Sequence, residues 1–172
     1  MRRHLPATAF VAVIVVTNWV TNALGVVTWL GITATAGTWL AGFAFVARDS
    51  VQDSLGWRWV VGLIITGAAI SAAFSPQLAI ASATAFLLSE LADFAIYTPL
   101  RRSGRTRAAL ASNAAGSVVD SLMFLAIAGF PLSLVWAQVG IKFGLTALFV
   151  LVWRNLDVLR QSVLAESGGG DA

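Results

Sequence analysis

The chain has 172 residues and a formal charge of +3, with 58% hydrophobic and 11% charged residues and no cysteine. Globular domains average about 45–50% apolar and about 25% charged residues, and a chain this short leaves too much of its surface wet to hide the excess. The composition excludes a soluble enzyme, a nucleic-acid-binding module and a disordered tail protein. The missing cysteine excludes a disulfide framework, thiolate chemistry and a Cys-ligated metal.

A membrane-spanning helix needs roughly 20 mainly apolar residues, and six such stretches follow one another along the chain, which predicts an all-α bundle of six transmembrane helices. The first covers 5–25. The run Met-Arg-Arg-His before it resembles a signal peptide, but the apolar stretch is long enough to span and is read as a retained helix. The second covers 27–47, and the third, the shortest, 59–74. The fourth runs over 78–98 and stops at Pro99, which cannot comfortably continue a helix. The fifth covers 110–130, with Pro131 marking the turn, and the sixth covers 132–153. Residues 1–160 thus form one transmembrane domain, and 161–172, ending in Gly168-Gly169-Gly170-Asp171-Ala172, read as a flexible cytoplasmic tail.

Orientation follows from the basic residues. Arg2 and Arg3 precede the first span, Arg48 and Arg58 fall between the second and third, Arg101, Arg102, Arg105 and Arg107 between the fourth and fifth, and Arg154 and Arg160 after the sixth. The opposite connections carry no Lys or Arg, which places both termini in the cytoplasm and the chain in the cell membrane as a multi-pass protein. The same rule accounts for the Arg101–Arg107 loop without a nucleic acid. Most of the seven tryptophans lie toward span ends, as an interfacial aromatic belt. Trp39 and Trp19 lie further inside and are candidates for stacking on a planar ligand.

Ionisable side chains inside a span cost about 2.5–3.5 kcal/mol on insertion scales and mark functional sites. The candidates are Glu90, Asp93, Asp120 and Lys142, supported by Asn18, Asn22, Asn113 and Gln138. Glu90, Asp93 and Tyr97 share one helix face, as do Asn113 with Asp120, Gln138 with Lys142, and Asn18 with Asn22. Counted from the flanking arginines at about 1.5 Å per residue, Glu90, Asp120 and Lys142 lie roughly 16, 19 and 18 Å deep, close to one level near the midplane. Three carboxylates against one lysine leave an excess of negative charge. In low dielectric that favours bound protons, or a ligand that is cationic or rich in hydrogen-bond donors. No phosphate loop, metal-ligand cluster or nucleophile triad is present, and the one histidine, His4, precedes the first span, so no cofactor and no catalysis are expected.

Three segments resemble one family. Ala83-Thr-Ala-Phe-Leu-Leu-Ser-Glu90-Leu-Ala-Asp93-Phe-Ala-Ile-Tyr97, Ser112-Asn113-Ala-Ala-Gly-Ser-Val-Val-Asp120-Ser-Leu-Met-Phe124, and Ala36-Gly-Thr with Asp49-Ser-Val-Gln-Asp53-Ser-Leu-Gly56 are similar to the signature segments of the VUT family of bacterial queuosine-precursor transporters, and Lys142 fits as well. The resemblance implies uptake of a small deazapurine, namely preQ0, preQ1 or queuine, in a polar cavity at mid-membrane. Glu90 or Asp93 would then accept the donor edge of the base, and Asp120 would make a second polar contact. Lys142 would hold one carboxylate ionised, and Asn113 would read the neighbouring carbonyl. Asn22, Gln138, Tyr97 and Trp39 would complete the site. Two other readings stand beside it: the binding subunit of an energy-coupling transporter that needs a partner ATPase, and a structural or assembly membrane protein without a ligand. A homo-oligomer or a coupling partner is left open.

Overall fold

A computed structural model describes residues 5–148 and residue 152. The arginines at both chain ends, His4, Trp153 and the tail named above lie outside the described residues. Six helices are present among the described residues: α1 (Leu5–Leu24), α2 (Thr38–Leu55), α3 (Trp57–Ala72), α4 (Pro76–Leu100), α5 (Arg105–Ala128) and α6 (Leu132–Leu148). The last opens with a 3-10 turn at Leu132–Leu134. Between α1 and α2 lies an antiparallel hairpin, β1 (Val26–Trp29) and β2 (Ile32–Thr35), with Trp29 paired to Ile32 and Val26 to Thr35.

The hairpin corrects the expected second span. An unbroken apolar run from 27 to 47 reads as a membrane helix by hydropathy alone, but its first half is β-branched and aromatic, which favours strand. Leu30 and Gly31 both have positive φ, 51° and 76°, the turn geometry that matches strand twist in a two-residue hairpin. Gly25, at φ 61°, ends α1 and starts the hairpin. The second helix accordingly begins eleven residues later than expected and carries Arg48 inside it rather than in a loop. Arg105 and Arg107 likewise belong to the first turns of α5. Pro99 lies in the last turn of α4, where losing one backbone donor breaks only the end of the hydrogen-bond ladder.

Helix α4 joins two apolar clusters. Phe86 packs with Phe10 and Ile14 of α1, Phe45 of α2 and Ile64 of α3. Leu78, Ala81 and Ala85 pack with Phe124 and Leu125 of α5 and Val135 of α6. Glycines set the close approaches, as is usual where lipid supplies no hydrophobic drive. A Cβ on Gly67 of α3 would meet Ile14 at 2.8 Å, and one on Gly42 of α2 would meet Leu145 of α6 at 2.6 Å. Large apolar side chains face outward, among them Trp19, Ile65, Ile80, Leu91, Phe94 and Trp136. In water that surface would be an aggregation hazard; against acyl chains it is at rest. Helices α1, α4 and residues Leu110–Ala128 of α5 are long and apolar enough to cross a bilayer.

Candidate functional site

A cavity of about 60 Å³ lies between α1, the base of the hairpin, α2, α4, α5 and α6. Its walls combine phenyl rings (Phe45, Phe86, Phe124), hydroxyls (Thr17, Thr21, Thr35, Thr38, Ser82), the Asn18 amide, and the charged pair Asp120 and Lys142. These polar groups come from narrow polar stripes on otherwise apolar helices, of which only part turns toward the cavity.

Lys142 Nζ donates to Asp120 Oδ2 at 2.6 Å, to Ser121 Oγ at 3.1 Å and to Gln138 Oε1 at 3.3 Å. Three acceptors satisfy the three donors of an ammonium group, so the cation is held in place at 3% exposure. Gln138, fully buried, uses its other end to donate to Thr35 Oγ1 at 3.0 Å, and Thr35 shares a 2.8 Å hydrogen bond with Thr38. A continuous chain of hydrogen bonds thus runs from the hairpin to Asp120. Beside it, Thr21 Oγ1 accepts from the Gly37 amide at 3.0 Å and donates to the Thr17 carbonyl at 2.9 Å, fixing the start of α2 against α1.

The second ionic cluster lies apart from the cavity lining. Arg48 Nε is 2.6 Å from Glu90 Oε1, and Arg48 Nη2 is 3.9 Å from Asp93 Oδ2. Arg48 follows Phe45 by three residues and Glu90 follows Phe86 by four, so the ion pair is stacked one helical turn beyond the Phe45–Phe86 ring pair, whose centroids are 5.4 Å apart. Arg48 therefore alters the expected charge balance: three buried or half-buried carboxylates meet two cations, not one. It was legible only as a loop arginine because its helix was expected to end before it.

The residues expected to share one site are divided. Asp120 and Lys142 line the cavity, and Gln138 stands behind Lys142. Glu90 and Asp93 pair with Arg48 instead, and Tyr97 lies a turn further along α4, half-buried. Asn113 is half-buried on α5, two turns before Asp120, and Asn22 is exposed; neither lines the cavity. Trp39 packs edge-on against Trp29 of the hairpin, centroids 4.8 Å apart, and does not line the cavity either. Asn18, named among the supporting candidates, lines the cavity, and the structure adds Thr17, Thr35 and Thr38. Asn18 had a signal in the sequence, its place in the first apolar run. The threonines had none, because a hydroxyl can bond its own helix and carries no insertion penalty comparable to a charge.

A helical membrane protein with a largely apolar cavity that has a buried Asp–Lys pair in its wall has the architecture of a small-molecule transporter. The chain matches the model of the family described as "Putative vitamin uptake transporter" over residues 6–155, and it belongs to that family. No curated protein and no solved structure matches it.

Proposed function

We propose that the protein imports queuosine precursors of the 7-deazaguanine class (preQ0, preQ1 or queuine), binding them in the cavity beside Asp120. The observation that carries this reading is the Asp120–Lys142 pair, buried at 7% and 3% exposure in the wall of a cavity that also offers phenyl rings. A deazaguanine presents a ring N–H and an amino group side by side, which one carboxylate accepts together, and its flat face suits phenyl walls. Asp120 takes the part first expected of Glu90 or Asp93, whose charges are engaged by Arg48. Lys142 Nζ donates to Asp120 Oδ2 and holds the carboxylate in place at the cavity wall.

The arrangement in the membrane is six passes with both termini in the cytoplasm. Arg58, Arg102 and Arg107 are exposed at connections on one side, and Gln77 and Pro131 mark the other, which has no basic residue. The Arg48–Glu90 pair then closes the cytoplasmic side of the cavity and the hairpin its outer side.

Uptake of labelled preQ0 and preQ1 by cells that express this chain and have no other importer for these compounds tests the reading. Uptake by this chain alone supports a self-sufficient importer. Uptake that appears only with an added coupling ATPase supports the binding-subunit alternative, and no uptake under either condition contradicts transport of this class.

A further inference from the structure

The polar atoms of the cavity wall divide into those already engaged and those left over. Thr21 accepts one hydrogen bond and donates another, Thr35 is bonded to Gln138 and Thr38, and Ser82 Oγ accepts from Asn18 Nδ2 at 2.8 Å while donating to the Ala79 carbonyl at 3.3 Å. Asn18 Nδ2 also donates to Ser71 Oγ at 3.1 Å. Both amide hydrogens of Asn18 are therefore spent on α3 and α4, and the plane of the amide is fixed. Its Oδ1 accepts no hydrogen bond among the described residues, although the residue is 1% exposed and lines the cavity. The neighbouring Thr17 Oγ1 is buried without a hydrogen-bond partner among the described residues. With both amide hydrogens fixed on α3 and α4, α1 presents an oriented acceptor to the cavity.

We propose that Asn18 is the specificity-determining residue of α1, its Oδ1 accepting a ring N–H of the bound heterocycle other than those that Asp120 takes. The occupant is thereby defined as a flat heterocycle with donors on two separate edges. In a 7-deazaguanine the paired N–H and amino edge goes to the carboxylate and the pyrrole N–H goes to Asn18. This inference rests on the uptake reading above. It adds that the pyrrole nitrogen, and not only the guanine-like edge, is read by the protein. Ser71 and Ser82 act as positioning residues, since they hold the amide with its oxygen inward.

The test compares binding of preQ0 with that of its furopyrimidine analogue, in which ring oxygen replaces the pyrrole N–H at nearly unchanged shape, to the purified full chain in detergent. The parent protein should bind preQ0 at least tenfold more tightly than the analogue, because the exchange sets an acceptor against Oδ1. Asn18→Leu should bring that ratio close to one, and Asn18→Asp, which keeps an acceptor oxygen, should retain it. A ratio near one in the parent protein, or a ratio unchanged in Asn18→Leu, would overturn the assignment and leave Asn18 as a tie between α1, α3 and α4. If Asn18→Leu does not fold, the parent ratio and Asn18→Asp decide the matter. Binding of neither compound by the parent protein overturns the uptake reading and this assignment together. Binding without discrimination overturns the assignment alone.

Discussion

Lys142 Nζ lies 2.6 Å from Asp120 Oδ2, and both side chains open on one cavity although they come from helices α6 and α5. A buried pair of this kind is a poor source of stability, since desolvation offsets most of the attraction, but breaking one side of it costs about 3–5 kcal/mol. Asp120→Asn and Lys142→Met should each lower the midpoint of thermal unfolding in detergent, while the double variant Asp120→Leu/Lys142→Met recovers it. Uptake should be lost in all three. A double variant that is stable and still transports would make the pair a structural tie only.

The Arg48 cluster has a different signature. Arg48→Met leaves Glu90 and Asp93 without the cation that faces them across α2 and α4, and it should destabilise the protein by about 3 kcal/mol or more. Exchanging the charges in Arg48→Glu/Glu90→Arg should restore part of the loss, because the pair is re-formed in reverse. Thermal unfolding of the three proteins decides it, and an unchanged midpoint for Arg48→Met contradicts a buried ion pair.

The seat of the hairpin depends on Gly37. A Cβ there would run into Thr21 Oγ1 and the Thr17 carbonyl, whereas one on Gly62 of α3 would meet nothing. Gly37→Ala should cost about 1–3 kcal/mol through overpacking, and Gly62→Ala should be neutral or gain about 0.5–1 kcal/mol by removing a helical glycine. Equal stability of the two variants would contradict the packing of α2 against α1.

Hydropathy made the helices legible because a bilayer allows few other backbones. The spans later found as α1, α4 and α5 differ from expectation by a few residues at their ends. The hairpin escaped because Val26–Thr35 is as apolar as a span, and only the Leu30-Gly31 turn and β-branched flanks distinguish it. The Asp120–Lys142 association followed from depth counting, which is blind to rotation. The same counting grouped Glu90 with them, and rotation sent Glu90 toward Arg48 instead. Asn22 was paired with Asn18 by spacing, yet Asn22 is exposed and Asn18 is buried, since α1 turns only part of its polar stripe inward.

The six-pass arrangement can be read by labelling. The chain has no cysteine, so single cysteines at Ser50, Gln77 and Ser103, all exposed, report without background. In intact cells an impermeant thiol reagent should reach Gln77→Cys and not Ser50→Cys or Ser103→Cys. Labelling of Ser103→Cys from outside contradicts cytoplasmic placement of the arginine-rich connection.

The most direct measurement is uptake of labelled preQ0 and preQ1 into liposomes that contain only the purified protein, run beside Asp120→Asn and the exposed-acid control Asp53→Asn. The amide keeps the shape of the carboxylate and turns one acceptor into a donor facing the donor edge of the base, a mismatch of about 1–3 kcal/mol, or roughly tenfold or more in binding. The account predicts saturable uptake by the parent and by Asp53→Asn, and at least a tenfold loss in Asp120→Asn that is folded and inserted. Uptake by Asp120→Asn equal to that of the parent would contradict a substrate site at Asp120.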